Sequence, residues 1–579
     1  MLKDIYDPLT EYDTVFRDRF KEVAKTTFAE LAEEANVDVE ANRQTCKRIY
    51  EKEREISSIE STIFAYKFLR VVLWFIEILL IYLLINDMDH LSDGAQIGFF
   101  ISIIFLPLFI FLKVNSIIRK YREGRDSLVS IMNQLKDEAW AQMAPLNRLY
   151  DWDVLTRMMS KTVPKLEFDP YFTTQRLADL RNTYGWDDSF NEERSVLYSH
   201  SGLINGNPFV ICRTRMMVMG QKTYEGSKTI YWTTRERDSN GRWRTVQHSQ
   251  TLYAYVTEDC PFYYEKTRLI YGNTAAPDLV FNRKMSGLAQ QKGTFSFWRN
   301  RRKLRKKARN LTSMDFAMMT NEDFEVAFDT SDRNNNQQFA LLFTPLAQES
   351  MMNLLSDNNV GYGDDFDFLK DRMINTIVPV HMQELNLDMN PDQYRHFDYD
   401  KAQADFYKIN ANYFKAIYFA LAPLLCVPMY QQIRLQHDIY GRKMKQRSSF
   451  WEHEALANFW GQDKFMHPAC VTDCILKTSC SYGDSDDESA EIYVYANGFR
   501  AEERLTYVGV WGDDGRYHNV PVYWDEYHEV TGTGTIYMKE DNGFKDDSIS
   551  HRQRLNHISD VLNNSNLDIY RRHIASSVK

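Results

Sequence analysis

Cysteine is scarce in this chain: seven in 579 residues, an odd number scattered from Cys46 to Cys480. That argues against a disulfide framework and fits reduced thiols in a cytosolic compartment. An early apolar run is also missing. Met1 is followed by Lys3, Asp4 and Asp7, which is no signal-peptide core, so membrane insertion is expected from an internal segment. The chain carries no phosphate loop of the G-x4-G-K-[ST] type, no H-E-x-x-H and no G-x-S-x-G. No cofactor is implied, and the cheap positive cases for an enzyme are removed. A formal charge of -10 is modest for this length and argues against a dedicated nucleic-acid binder.

What is present can build cores. Apolar residues make up 44% and aromatics 14%, which excludes global disorder, and the length suits roughly three to four domains. Two apolar runs dominate. Val71–Ile85 reads VVLWFIEILLIYLLI, lengthened by Phe68 and Leu69; Ile97–Val114 reads IGFFISIIFLPLFIFLKV. Each is close to the ~17–25 residues that a helix needs to cross a bilayer. The loop Asn86–Gln96 carries Asp87, Asp89 and Asp93 but no Lys or Arg, whereas both outer flanks are rich in cations. The positive-inside rule then puts both flanks in the cytoplasm. Glu77 falls near mid-span, where a carboxylate needs a partner, a cavity or a helix interface. It reads either as a proton or cation site or as a protonated group bonded to a neighbouring helix.

The spans extend as helices. Ile49, Ile56 and Ile63 stand seven apart with Ile59 between; Val114, Ile117, Tyr121, Leu128, Ile131 and Leu135 keep a 3-4 spacing. The extensions are expected to pair as an antiparallel coiled stalk, or else to pack on the soluble body. Upstream, Tyr12–Leu31 forms an amphipathic helix with Phe16, Phe20, Val23 and Leu31 on one side, ended by Asn36-Val37-Asp38.

From about Asp151 the pattern turns to short helices (Val154–Ser160, Thr174–Asn182) and then strands over Ser195–Gly272. Asn240-Gly241, between Ile230-Tyr231-Trp232 and Trp243–Val246, signals a tight hairpin. A basic segment follows, with Phe295, Phe297 and Trp298 leading Arg299, Arg301, Arg302, Lys303, Arg305, Lys306, Lys307 and Arg309. Such a run suits anionic inner-leaflet lipid, nucleic acid, or simply a solvated loop or helix face.

Next come FEVAFDTSD (324–332) and, after a short polar gap, FALLFTPLAQESMMNLL (339–355). This order resembles a segment of a group of uncharacterised bacterial inner-membrane proteins that pair two membrane helices with a cytosolic α+β domain of unknown function. The similarity spans about Ser195–Leu355 plus the hairpin. It departs where an Arg is expected before a Leu-rich strand, since Phe339-Ala340 stands there. The resemblance implies a bacterial membrane protein and an α+β domain, and no activity.

Ala416–Tyr430, AIYFALAPLLCVPMY, is apolar but short and holds Pro423 and Pro428, so a buried core segment or strand is expected rather than a third span. Beyond Ser448, a packed helix at Trp451–Trp460 precedes strands at Ala490–Tyr495, Leu505–Trp511, Val520–Trp524 and Gly534–Met538. Asp514-Gly515 makes a turn, and a polar helix covers His551–Asn563. His467, Cys470, Cys474 and Cys480 form the one cluster with metal-like spacing, too irregular to favour zinc over buried thiols. Asp484, Asp486, Asp487 and Glu488 read as a solvated turn.

The sequence therefore leads to a membrane protein with an α-helical transmembrane hairpin, coiled-coil-like cytoplasmic extensions, and α+β and β-rich soluble domains. The expected division is an N-terminal helix (1–40), the hairpin with stalk (41–150, spans about 68–86 and 97–114), an α+β domain (151–355), a helical or mixed connector (356–447) and a β-rich domain (448–579). The expected placement is the inner membrane, multi-pass, with both termini cytoplasmic. Partners are the bilayer and further copies of the chain or other proteins. The functions that fit are a membrane-anchored scaffold, an oligomeric transport component using Glu77, or a membrane-proximal enzyme.

Overall fold

The computed structural model describes residues 4–87, 93–237, 241–309, 317–330, 332–433, 447–483, 489–540 and 569–578. These residues form two compact units. One comprises Met1–Lys25, Asp151–Asn390 and Asn410–Lys579; the other comprises Thr26–Tyr150 and Pro391–Ile409. The expected division by sequence order is not followed, because segments far apart in the chain share cores.

The second unit is helical. One helix runs unbroken over Val39–Asp87 and another over Asp93–Phe109, passing through a π turn at Ile110–Val114 into Asn115–Asn147. Ile101–Asn147 is long and apolar enough to cross a membrane: its best 18-residue window has mean hydropathy 2.2 and is 17% buried. The helices pair antiparallel. Lys136 meets Glu53 at 2.8 Å, Tyr66 stacks on Tyr121 at 6.1 Å, and Arg70 donates to Asn115 at 3.3 Å. Ile49, Ile56 and Ile63 are buried, as the seven-residue spacing suggested. The opposite seam differs from expectation. Tyr121 and Ile131 are exposed, while Val114, Ile118 and Ala139 are buried, with Met132 packed beside Ala139. A straight helix turns 3.6 residues per turn, so a contact line drawn at strict 3-4 spacing drifts off the partner over several turns.

The first unit is built on two antiparallel sheets. The larger contains β1 (Leu166–Phe168), β2 (Arg194–Ile204), β3 (Asn207–Arg237), β4 (Trp243–Gly272), β5 (Val280–Arg283), β6 (Phe366–Asp371) and β7 (Ile374–Pro379), in the order β1-β2-β3-β4-β7-β6-β5. The smaller contains β8 (Ile475–Tyr482), β9 (Ser489–Trp511), β10 (Tyr517–Glu540), β11 (Ile569–Arg571) and β12 (Ile574–Val578), in the order β11-β12-β10-β9-β8. The expected connector is thus split: β7 pairs with β4 through Leu269↔Ile377 and carries the larger sheet on to β6 and β5.

The short strands read from the sequence fuse into long ones. β3 and β4 pair without a break from Phe209↔Tyr271 to Arg237↔Trp243, and β9 and β10 from Tyr517↔Trp511 to Lys539↔Ser489. At ~3.3 Å per residue, β3 alone reaches on the order of 100 Å. Polar stretches such as Glu225-Gly226-Ser227-Lys228 stay extended because they pair residue for residue with the facing strand, which takes up alternate backbone groups. The β9–β10 turn has Gly515 at φ +78°, which Asp514-Gly515 foretold. Asn240 lies outside the described residues; Gly241 has φ +78°. The two hairpins pack on each other, burying Ile230, Leu252, Ala254, Val520 and Val522.

Helix Phe450–Trp460 lies between the sheets. Trp451 and Ala455 join Val196, Val210 and Ile270 of the larger sheet; Leu456 and Ala457 join Leu476, Ile492 and Ile536 of the smaller. Ala416–Tyr430 forms the end of helix Tyr399–Leu425 and the short helix Pro428–Gln432, and is almost wholly buried within this unit. At the N-terminus, Phe20 stacks on Phe414 at 4.2 Å. Phe339 belongs to helix Asn336–Leu342, not to a strand; Asn335 caps that helix by accepting from Gln338 N at 3.0 Å.

Candidate functional site

Three groups singled out in the sequence have distinct fates. Glu77 is 3% exposed on a helix whose neighbours Phe75 and Ile78 are 68% and 63% exposed, and its Oε2 has no hydrogen-bond partner among the described residues. The carboxylate is therefore covered while the apolar side chains beside it face outward.

The basic segment forms helix Phe295–Arg309. It is not a uniformly solvated face. Phe297 and Leu304 are buried against Val326, and Arg301 and Arg305 both close on Glu322, with contacts of 2.5 and 2.6 Å. Those hydrogen bonds, Arg305's first, hold the Glu322 carboxyl down at about 2. Trp298, Arg299, Arg302, Lys303, Lys306, Lys307 and Arg309 remain on exposed positions.

The possible zinc set is not assembled. Cys470 and Cys474 come together, Sγ to Sγ 3.7 Å, in a space that the missing side chain of Gly498 leaves open. His467 turns its Nδ1 to the backbone of Ala469 at 3.1 Å. Cys480 lies six residues along from Cys474, on β8, which is ~20 Å of extended chain. Two thiols without further ligands among the described residues do not make a structural zinc site. Burial pushes the Cys474 thiol up to about 12, so it is a poor nucleophile. The acidic residues 484–488 and the helix expected at 551–563 lie outside the described residues.

Sequence reasoning missed the ionisable core of helix Phe450–Trp460. Glu452, His453 and Glu454 are consecutive and all buried. Glu452 accepts from Arg572 at 3.1 Å, Ser199 at 3.2 Å and Phe172 N at 3.3 Å; Glu454 lies 2.6 Å from Lys477 and accepts from Val196 N at 3.0 Å. His453 Nε2 meets Ser448 Oγ at 2.9 Å, and Ser448 also bonds Glu540. The composition suggests a serine–histidine–carboxylate set, but the arrangement differs. Glu540 sits on the serine, His453 Nδ1 has no partner among the described residues, and all three are sealed from solvent. A base without an orienting carboxylate and without access to substrate does not activate a nucleophile. Burial holds His453 down at about 4 and raises Glu454 and Glu540.

Two further clusters were invisible in the sequence because they form across strands or loops. Glu502, Glu526 and His528 converge on β9 and β10, but Arg504 already bridges the carboxylates at 2.9 and 2.6 Å, filling the place that a metal ion would take. A cavity of about 10 Å³, room for little more than one water, is lined by Tyr362, Asp365, His381 and Phe419, far below the ~300–1,000 Å³ usual for small-molecule sites. His381 meets Asp365 at 2.6 Å and the Ala416 carbonyl at 3.0 Å, so both ring nitrogens are engaged in holding the loop.

Comparison with known protein families, curated proteins and solved structures returns no match. Function must be argued from the molecule itself.

Proposed function

We propose that this chain is a membrane-anchored cytoplasmic scaffold or protein-interaction module that self-associates. The observation that carries the reading is the apolar belt on the paired helices of the second unit. Phe68, Phe75, Ile78, Tyr82 and Ile85 on one helix, and Ile101, Ile104, Phe105 and Phe111 on the next, are all more than 60% exposed. Contiguous apolar surface on that scale is costly in water and ordinary in lipid, where helices satisfy their own backbone. The ion pairs Arg48–Glu138 and Lys136–Glu53 lie on the stretch beyond the belt, as they would in a cytoplasmic stalk. A bacterial inner-membrane location with both termini cytoplasmic is part of this proposal and draws on cation placement and the resemblance described above. The engaged nitrogens of His381 and the sealed Ser448–His453 pair support a binding role over catalysis.

The test is alkaline extraction of membranes carrying the full chain, followed by light scattering of the detergent-purified protein. Retention in the pellet and a mass above one chain are expected. Release at high pH, or a strict monomer, overturns the reading.

A transport component is favoured by one observation, the buried Glu77 Oε2 without a partner. Equal proton flux through liposomes holding the wild type or Glu77→Gln would end it.

A further inference from the structure

Helix Phe295–Arg309 has two unlike sides, and only one is used by the fold. At 100° per residue, Phe297, Arg301, Leu304 and Ala308 share an arc. That arc packs on Val326 and Met318 and clamps Glu322. The opposite arc holds Phe295, Trp298, Arg299, Arg302, Lys303 and Lys306, all exposed. The fifteen residues contain no acid. Phe295 and Trp298, 74% and 52% exposed, stack on each other at 5.8 Å, and the Arg302 guanidinium lies 5.4 Å over the Trp298 ring. Phe297 of the same helix is buried, whereas these two rings and four cations are presented together.

We propose that this arc is a peripheral lipid contact. Phe295 and Trp298 enter the headgroup layer of an anionic bilayer, and Arg299, Arg302, Lys303 and Lys306 meet lipid phosphates. Arg301 and Arg305 are positioning residues that fix the helix on Glu322. The combination decides the occupant: a ring pair beside a row of cations matches the interfacial preference of aromatics together with the negative surface potential of an inner leaflet. Each Lys or Arg near such a surface contributes about fivefold in partitioning, so the four act together. A nucleic acid would also attract the cations, but the chain as a whole carries -10. The inference rests on the membrane reading for its source of lipid, and it adds a second attachment, in the unit that does not hold the apolar belt.

The experiment uses the full chain reconstituted in vesicles. A Ser296→Cys, Cys480→Ser variant carries an environment-sensitive fluorophore at position 296, the remaining native thiols being buried. In vesicles with about one-third phosphatidylglycerol, the label is expected to shift to the blue and to be quenched by spin-labelled lipid. In phosphatidylcholine alone, or with Arg299, Arg302, Lys303 and Lys306 all changed to Gln, quenching should fall at least fivefold. Changing Arg299 and Lys303 alone should give an intermediate loss, so the proposal does not hang on one variant's folding. Equal quenching in neutral and anionic lipid overturns the proposal. So does a label response to single-stranded RNA without any response to anionic lipid, which would assign the arc to nucleic acid. Alkaline extraction of the same vesicles reports separately on the apolar belt: release at high pH with the label response intact defeats the anchor and leaves this contact standing.

Discussion

Glu452 and Arg572 meet at 3.1 Å in the core of the first unit, both side chains excluded from solvent. The pair joins the helix between the two sheets to the turn of the β11–β12 hairpin, where Arg572 and His573 adopt φ +48° and +61°. Neighbouring Arg571 binds Asp388 at 2.6 Å, and His573 binds Asp153 at 2.5 Å. Three consecutive side chains thus fasten this terminal hairpin to three separate carboxylates.

Removing one member strands the other. Arg572→Met is expected to destabilise the first unit by about 3–5 kcal/mol, because Glu452 would remain buried without its cation. The double change with Glu452→Gln should recover part of that loss. Thermal melting of the four combinations measures the coupling, and additive effects would show that the pair does not interact.

His453 makes stability depend on pH. Burial holds its folded pKa at about 4, below the ordinary value of 6.5, so on acidification the unfolded chain takes up the proton first. The contribution is fully present above pH 6.5 and is lost as pH falls toward 4. Between pH 6.5 and 5 it amounts to on the order of 2 kcal/mol. Glu454 and Glu540, with raised values, act in the opposite sense, so the informative quantity is the difference between wild type and His453→Gln at each pH. A difference that stays flat from pH 7 to 5 would contradict the assignment.

Gly226 lets the two long hairpins touch. A β-carbon there would stand 2.1 Å from the Pro521 carbonyl oxygen. Gly226→Val should separate the hairpins, exposing Val520 and Val522 and speeding amide exchange over 226–232 and 520–524, with the sheet core around Val210 unchanged. Unaltered exchange over both stretches would refute the contact.

The thiols should behave as buried side chains, not as ligands. Six of seven are buried and Cys480 is half-buried, with Cys212, Cys426 and Cys474 pushed up to about 12 by burial. Treatment with a zinc chelator is expected to leave the melting temperature unchanged, and a thiol reagent should react with at most one group before unfolding. A drop of several degrees on chelation would revive a metal role for Cys470 and Cys474.

Local pattern carried much of the architecture. Seven-residue spacing marked Ile49, Ile56 and Ile63 as one buried seam, and Asp514-Gly515 marked the turn of β9 and β10, because helical period and left-handed turn residues are properties of a few adjacent positions. Two prolines and a short apolar run likewise marked Ala416–Tyr430 as a core segment, and it is buried. What local pattern could not supply is which distant segments share a surface. Glu452 met Arg572, the larger sheet took β7 for its continuation, and Arg301 and Arg305 turned inward to Glu322 while Arg299 and Lys303 stayed out. A run of cations looks the same in sequence whether its members are bound or free. Only the packing of a second helix against one side, which desolvates that side and supplies its counter-charge, separates the two.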